Sequence, residues 1–245
     1  MEKNNRGILI TLIVVLSIIA LLLTGILTFS IVSEMPSFSS IKLKTIYDEA
    51  YSTSEISNIS IDSDAGDVIV RNSTDGQIRL TAEGINEKDF EAAVNGDTLT
   101  VSSRSAGRNK WLNLHSRRGI REIILYIPTD FNALDINLNL GDVEIEDNLN
   151  TKLTVENNMG DIEAKTLAGS FNLHTDMGNI EINRIDISEN SSATTSMGDI
   201  EIENANGVNI YAKTSMGDCD VKNNTPSSPI ILTAETDMGN VEIND

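Results

Sequence analysis

Reactive side chains are scarce in this chain: its 245 residues include one cysteine, two histidines, one tryptophan, four tyrosines and five phenylalanines. The single thiol, Cys219, excludes an intrachain disulfide, so the fold must be held by packing and backbone pairing. Neither His115 nor His174 stands in a metal-ligand or nucleophile motif, which leaves no sequence case for a cofactor. The shortage of aromatic rings leaves little platform for stacking sugars. Basic residues are also few, 18 against 37 acidic, and the formal charge of −19 excludes non-specific nucleic-acid binding by the main body.

What is present begins with an apolar run. Residues 8–32 contain no charge and are dominated by Ile, Leu and Val. These 25 residues exceed the roughly 20 that a helix needs to cross a hydrocarbon core of about 30 Å. The run is too long for the apolar region of a cleaved signal peptide and is not followed by an Ala-x-Ala site. Lys3 and Arg6 precede it and Glu34 follows it, so a single-pass anchor in the cell membrane is expected, with residues 1–7 cytoplasmic and the rest outside. Residues 33–54, with Pro36 and several serines, read as a linker or stalk in which 41–51 is a candidate short helix.

The second half is built on one phrase, Met-Gly-Asx followed by an apolar and an acidic residue. It occurs at Met159–Glu163, Met177–Glu181, Met197–Glu201, Met216–Asp220 and Met238–Glu242, with a weaker copy at Leu140–Glu144 and a possible start at Ala65–Val68. From Gly141 to Gly239 the glycines are 19, 18, 20, 19 and 22 residues apart. That period is too short for helical hairpins and suits small coils of strand. Period-two alternation runs up to the glycine (Leu173, Thr175, Met177) and resumes beyond it (Ile180, Ile182), so each rung should hold two short strands joined at a glycine corner. The expected fold is an all-β solenoid with rungs of about 19 residues over 55–245, irregular over 55–132 and regular over 133–245, behind one N-terminal transmembrane helix.

Aligned by rung, the repeat forms columns. Parity places the methionines and Thr175, Thr195, Thr214 and Thr236 inward, and Cys219 in the buried column of Ile162, Ile180, Ile200 and Val241. The opposite parity stacks Glu163, Glu181, Glu201, Asp220 and Glu242 outward as like charges. Asp161, Asn179, Asp199, Asp218 and Asn240 flank the corner, where short side chains bond local backbone. Asp161, Asp199, Asp218, Glu181 and Glu201 are the weak candidates for a divalent cation, against a solvated acidic face as the plainer reading. His174 alternates outward on its strand.

In the first half, 56–61, 67–71, 78–82, 98–102 and 122–127 read as strands, and 86–94 as one or two helical turns. Acidity is uneven, 15 acids against 11 bases over 33–132 and 21 against 5 over 133–245. The one basic run, Arg104, Arg108, Lys110, Trp111, Arg117, Arg118 and Arg121, is the candidate contact loop toward anionic lipid headgroups, wall polymers or an envelope protein.

At Ala65-Gly66-Asp67-Val68, Ile124-Leu125-Tyr126-Ile127-Pro128 and the repeated Met-Gly-Asp-Ile-Glu-Ile, the chain resembles the bacterial putative-adhesin family of unknown function, over residues 55–245. That family includes the Lia-type accessory membrane proteins. The resemblance implies an extracytoplasmic β-solenoid, in some members associated with envelope stress, and supplies no catalytic residues to carry over. The expected function is therefore a non-enzymatic surface protein, an adhesin or an accessory factor in envelope-stress sensing. The alternative is a carbohydrate-active β-helix enzyme acting on cell-wall or surface glycans, against which the uniform acidic column argues. Ice or crystal-surface binding by the threonines is a third class, which inward parity disfavours. Weak self-association through an open end strand is expected on edge grounds.

Overall fold

The computed structural model describes residues 44–85, 87–104, 121–187, 189–206, 209–222 and 231–244. They belong to one compact unit, Leu43–Asp245. The expected membrane span, most of the stalk and residues 105–120 of the basic run lie outside the described residues. Among the described residues no helix is long and apolar enough to cross a membrane.

The chain begins with β1 (Thr45–Tyr51), β2 (Asn58–Ser63), β3 (Asp67–Asn72) and β4 (Ile78–Glu83). After a one-turn 3-10 helix, Glu87–Asp89, come β5 (Phe90–Asn95), β6 (Thr98–Ser103), β7 (Glu122–Ile127) and β8 (Asp130–Leu138). The helical reading of 41–51 is thus corrected, and that of 86–94 holds only for the single turn Glu87–Asp89. Thr45–Tyr51 is a strand because its backbone pairs antiparallel with β4, and Phe90–Asn95 pairs antiparallel with β6. Tertiary pairing overrides a weak local helical preference there.

The regular part follows as β9 (Val143–Met159), β10 (Ile162–Leu167), β11 (Phe171–Met177), β12 (Ile180–Ile182), β13 (Ile185–Asp186) and β14 (Ser191–Met197). It continues as β15 (Ile200–Ile202), β16 (Ala205–Asn206), β17 (Asn209–Met216), β18 (Cys219–Lys222), β19 (Ile231–Met238) and β20 (Val241–Asn244). Every pairing among these strands is parallel, as a coil requires, and the register is unbroken except between β9 and β10, where it shifts between Ala164 and Thr166. Two faces result. One runs β1, β4, β7, β3, the first half of β9, β10, β12 with β13, β15 with β16, β18, β20. The other runs β5, β6, β2, β8, the second half of β9, β11, β14, β17, β19.

Rung order departs from chain order at the N-terminal end. The rung formed by β6 and β7 lies outside the one formed by β2 and β3, because β3 is flanked by β7 and β9 while β2 is flanked by β6 and β8. Antiparallel β1, β4 and β5 lie at this end of the coil.

The core is a set of inward columns. Val68, Val143, Ile162, Ile180, Ile200 and Cys219 form one, and Ile61, Val101, Ile136, Val155, Leu173, Ala193 and Ala212 form another. All are buried. Cys219 lies where the repeat predicts it, and burial pushes its thiol up to about 11, which makes it an inert small apolar residue.

Candidate functional site: the outward columns of the repeat

Each corner is fixed by three recurring side chains. Glycine comes first: Gly141, Gly160, Gly178, Gly198, Gly217 and Gly239 have φ between +139° and +156°. A Cβ on any of them would lie 1.9–2.4 Å from the carbonyl oxygen of the glycine one rung back, so only hydrogen fits. That carbonyl also accepts a part-buried side-chain hydrogen bond. Thr175 Oγ1 donates to Gly160 (3.0 Å), Thr195 to Gly178 (2.9 Å), Thr214 to Gly198 (2.8 Å) and Thr236 to Gly217 (3.0 Å), and Asn157 Nδ2 does the same to Gly141 (3.0 Å). Thr175, Thr195 and Thr214 are buried, so they present no ice-binding face.

The residue after glycine links rungs in the other direction. Asp67 Oδ1 accepts the Asp142 N–H at 3.0 Å, and the relay continues through Asp142 to Asp161 (2.8 Å), Asp161 to Asn179 (2.7 Å), Asn179 to Asp199 (2.9 Å), Asp199 to Asp218 (2.7 Å) and Asp218 to Asn240 (2.7 Å). Asp161, Asp199 and Asp218, candidates for a cation, therefore use one carboxylate oxygen to hold the next rung. Glu181 and Glu201 stand in register on the outer face of β12 and β15. Among the described residues no group of three or more His, Cys, Asp or Glu side chains is arranged to hold a metal ion.

The acidic column runs Glu144, Glu163, Glu181, Glu201, Asp220, Glu242 in unbroken parallel register. Partial burial, then the charge of Glu163, raises the carboxyls of both Glu144 and Glu181 above their ordinary value. The flanking cations compensate unevenly. Arg71 grips Glu146 through two 2.7 Å hydrogen bonds and lowers its carboxyl, and Lys222 donates to Glu201 at 3.1 Å while lying 3.6 Å from Asp220. A shallow groove of about 210 Å³ is lined by Glu144, Glu146, Glu163, Lys165, Glu181 and Asn183.

The methionines overturn the sequence reading. Met159, Met177, Met197, Met216 and Met238 do stack in one column. They point outward, however, at 38–62 % exposure. Five positions separate inward Thr175 from inward Ile180, so the alternation must break somewhere between them. It breaks before the methionine: Asp176 and Met177 are both exposed, and the corner starts one residue earlier than parity suggests.

His174 is half-buried on its strand, with Nδ1 2.9 Å from Thr194 Oγ1 on the neighbouring strand and Nε2 3.2 Å from Asp176 Oδ1 on its own. Of the basic contact loop, Arg108, Lys110, Trp111, Arg117 and Arg118 lie outside the described residues. The two described ends are close to the corner. Arg104 Nη2 is 3.5 Å from Asp62, and the Arg121 carbonyl accepts the Asp67 N–H at 2.8 Å. Arg104 and Arg121 thus stand at the ends of β6 and β7, next to the ends of β2 and β3 that residues 64–66 join.

A family model described as Toastrack DUF4097 matches residues 56–244. Among curated proteins none matches this chain. Among solved structures, a "putative adhesin" from Bacteroides fragilis is 23 % identical, covers 83 % of this chain and 98 % of its own, and superposes with a TM-score of 0.51. A "putative cell adhesion protein" from Clostridium sporogenes is 10 % identical, covers 82 % and 99 %, and has a TM-score of 0.37. The first likeness supports the solenoid fold and nothing finer.

Proposed function

We propose, from the premise that this chain belongs to the Toastrack DUF4097 family, that it is a non-enzymatic surface protein that displays its solenoid outside the membrane spanned by residues 8–32. The observation that carries this reading is the division of labour within the repeat. Thr, Gly, Asx and the apolar residues are used by the coil itself, so the recurring side chains left for contact are the outward Glu and Met columns. A regular outward array on a rigid rod suits adhesion, which agrees with the names of its structural neighbours. A role as accessory factor in envelope-stress sensing is the narrower form of the same reading, with the basic run from Arg104 to Arg121 as the contact toward anionic lipid, wall polymer or an envelope protein.

Glycoside hydrolysis needs one carboxyl set apart from its partner. Glu144 and Glu181 are shifted in the same direction by the same causes, which does not favour that division of roles. Protease treatment of intact cells should remove residues 55–245, and deletion should alter surface attachment or envelope-stress output. Pulldown from intact envelopes should capture a partner that an Arg117→Glu/Arg118→Glu variant loses. Turnover of cell-wall glycan by the purified chain, abolished by Glu163→Gln or Glu181→Gln, would overturn the proposal.

A further inference from the structure

We infer that the exposed methionine column is a soft-metal site, which binds a monovalent d10 ion, Cu(I) or Ag(I), through thioether sulfurs of adjacent rungs. The column is held in place by its backbone. Each of the five methionine carbonyls accepts the N–H of the glycine one rung back, at 2.9–3.0 Å from Gly141, Gly160, Gly178, Gly198 and Gly217. With strands about 4.8 Å apart, five thioethers are strung along roughly 19 Å. Their side chains are exposed while their backbones are hydrogen-bonded. A methionine side chain has three rotatable bonds and a reach comparable to the rung spacing, so two or three neighbouring sulfurs can converge on one ion without disturbing the coil.

Packing does not explain the sulfur. In the preceding rung Leu140 stands in the same place, 50 % exposed, before Gly141, and Ala65 precedes Gly66 at the first corner. Branched or short apolar side chains therefore satisfy the corner. Five successive thioethers in register add something that leucine lacks, namely soft, polarisable, neutral donors, which select Cu(I)-like ions over Ca²⁺, Mg²⁺ or Zn²⁺. Of the nearby donors, one oxygen of each corner Asx side chain holds the next rung, the carboxylates are hard ligands that a soft ion does not prefer, and Cys219 is buried inside the coil. The net charge of −19 attracts a cation toward the surface.

The purified full-length chain should be titrated anaerobically with Cu(I) held by a bicinchoninate competitor. The chain is expected to take at least one Cu(I) from the chelator. Met177→Leu/Met197→Leu/Met216→Leu, with an unchanged circular dichroism spectrum, should weaken binding at least tenfold, while Cys219→Val should bind like the parent. In the parent chain labelled with ¹³C at the methionine methyls, Ag(I) should shift resonances of the column and leave Met1 and Met35 in place. Failure to compete with the chelator, unaltered affinity in the leucine variant, or shifts confined to Met1 and Met35 would overturn the proposal; if the leucine variant misfolds, the methyl spectrum of the parent decides.

Discussion

At the corner glycines, side-chain size and backbone angle act together, and the two can be separated by mutation. Gly198→Ala would place a Cβ 2.0 Å from the Gly178 carbonyl oxygen at φ +147°, a conflict with rigid backbone. A loss of at least about 3 kcal/mol in urea unfolding is expected, at the severe end of single substitutions. Gly76→Ala provides the contrast, because Gly76 has φ +73° but nothing within 4 Å of the added carbon, so only the conformational cost of about 1 kcal/mol remains. Thr195→Val keeps the shape and removes the hydrogen bond to Gly178. It should cost about 1–2 kcal/mol, consistent with a buried carbonyl losing its side-chain donor, and retain the native circular dichroism. Two of these roles, glycine at the corner and threonine inward, were legible from spacing and alternation. The methionine orientation was not, because an odd step from Thr175 to Ile180 shows that parity breaks and gives no hint on which side of Met177 the break falls.

Among the elements, the strands after each corner, from β10 to β20, concentrate charge on one outer line. Glu181 lies between Glu163 and Glu201, and its carboxyl is raised by burial and then by those neighbours. A raised folded-state value means that the folded chain binds protons more readily than the unfolded one, so stability falls as pH rises through that interval. Glu181→Gln should accordingly stabilise the chain at pH 7 by about 0.2–1 kcal/mol, the scale of one exposed cross-strand pair. The gain should fade on acidification below the ordinary glutamate range, as measured by urea midpoints at pH 7 and pH 3.5. Glu146 behaves oppositely. Arg71 lowers its carboxyl, so its contribution is present above the ordinary value and is lost as pH falls through the folded one. Strand positions were well read in the first half, where 122–127 matches β7 and 67–71 falls within β3, since alternation there is uninterrupted. The reading failed at β1, whose partner β4 lies some thirty residues further along the chain.

For the molecule as a whole, winding was visible in the nineteen-residue period, but the order of the first rungs was not. The segments β2–β3 and β6–β7 carry the same alternation, and nothing local says that the later pair is placed outside the earlier one. The two ends of the coil also differ. At one end the edge strands β1 and β5 lie antiparallel to their neighbours, while at the other, among the described residues, β19 and β20 each pair in parallel with one strand and Val241 and Ile243 are exposed. Exposed strand edges favour pairing. Sedimentation of the purified chain at rising concentration should show weak self-association that Val241→Lys/Ile243→Lys suppresses; equal association in both chains would place any contact elsewhere.

The stacking of rungs is tested most directly by distances along the outward column. In a Cys219→Val background, one spin label at position 159 and a second at 177, 197, 216 or 238 should give separations that grow by about 4.8 Å per rung, reaching about 19 Å for the last pair, with every label mobile in solvent. Separations that fail to increase in that order, or labels immobilised in the core, would contradict a coil whose methionines face outward in register.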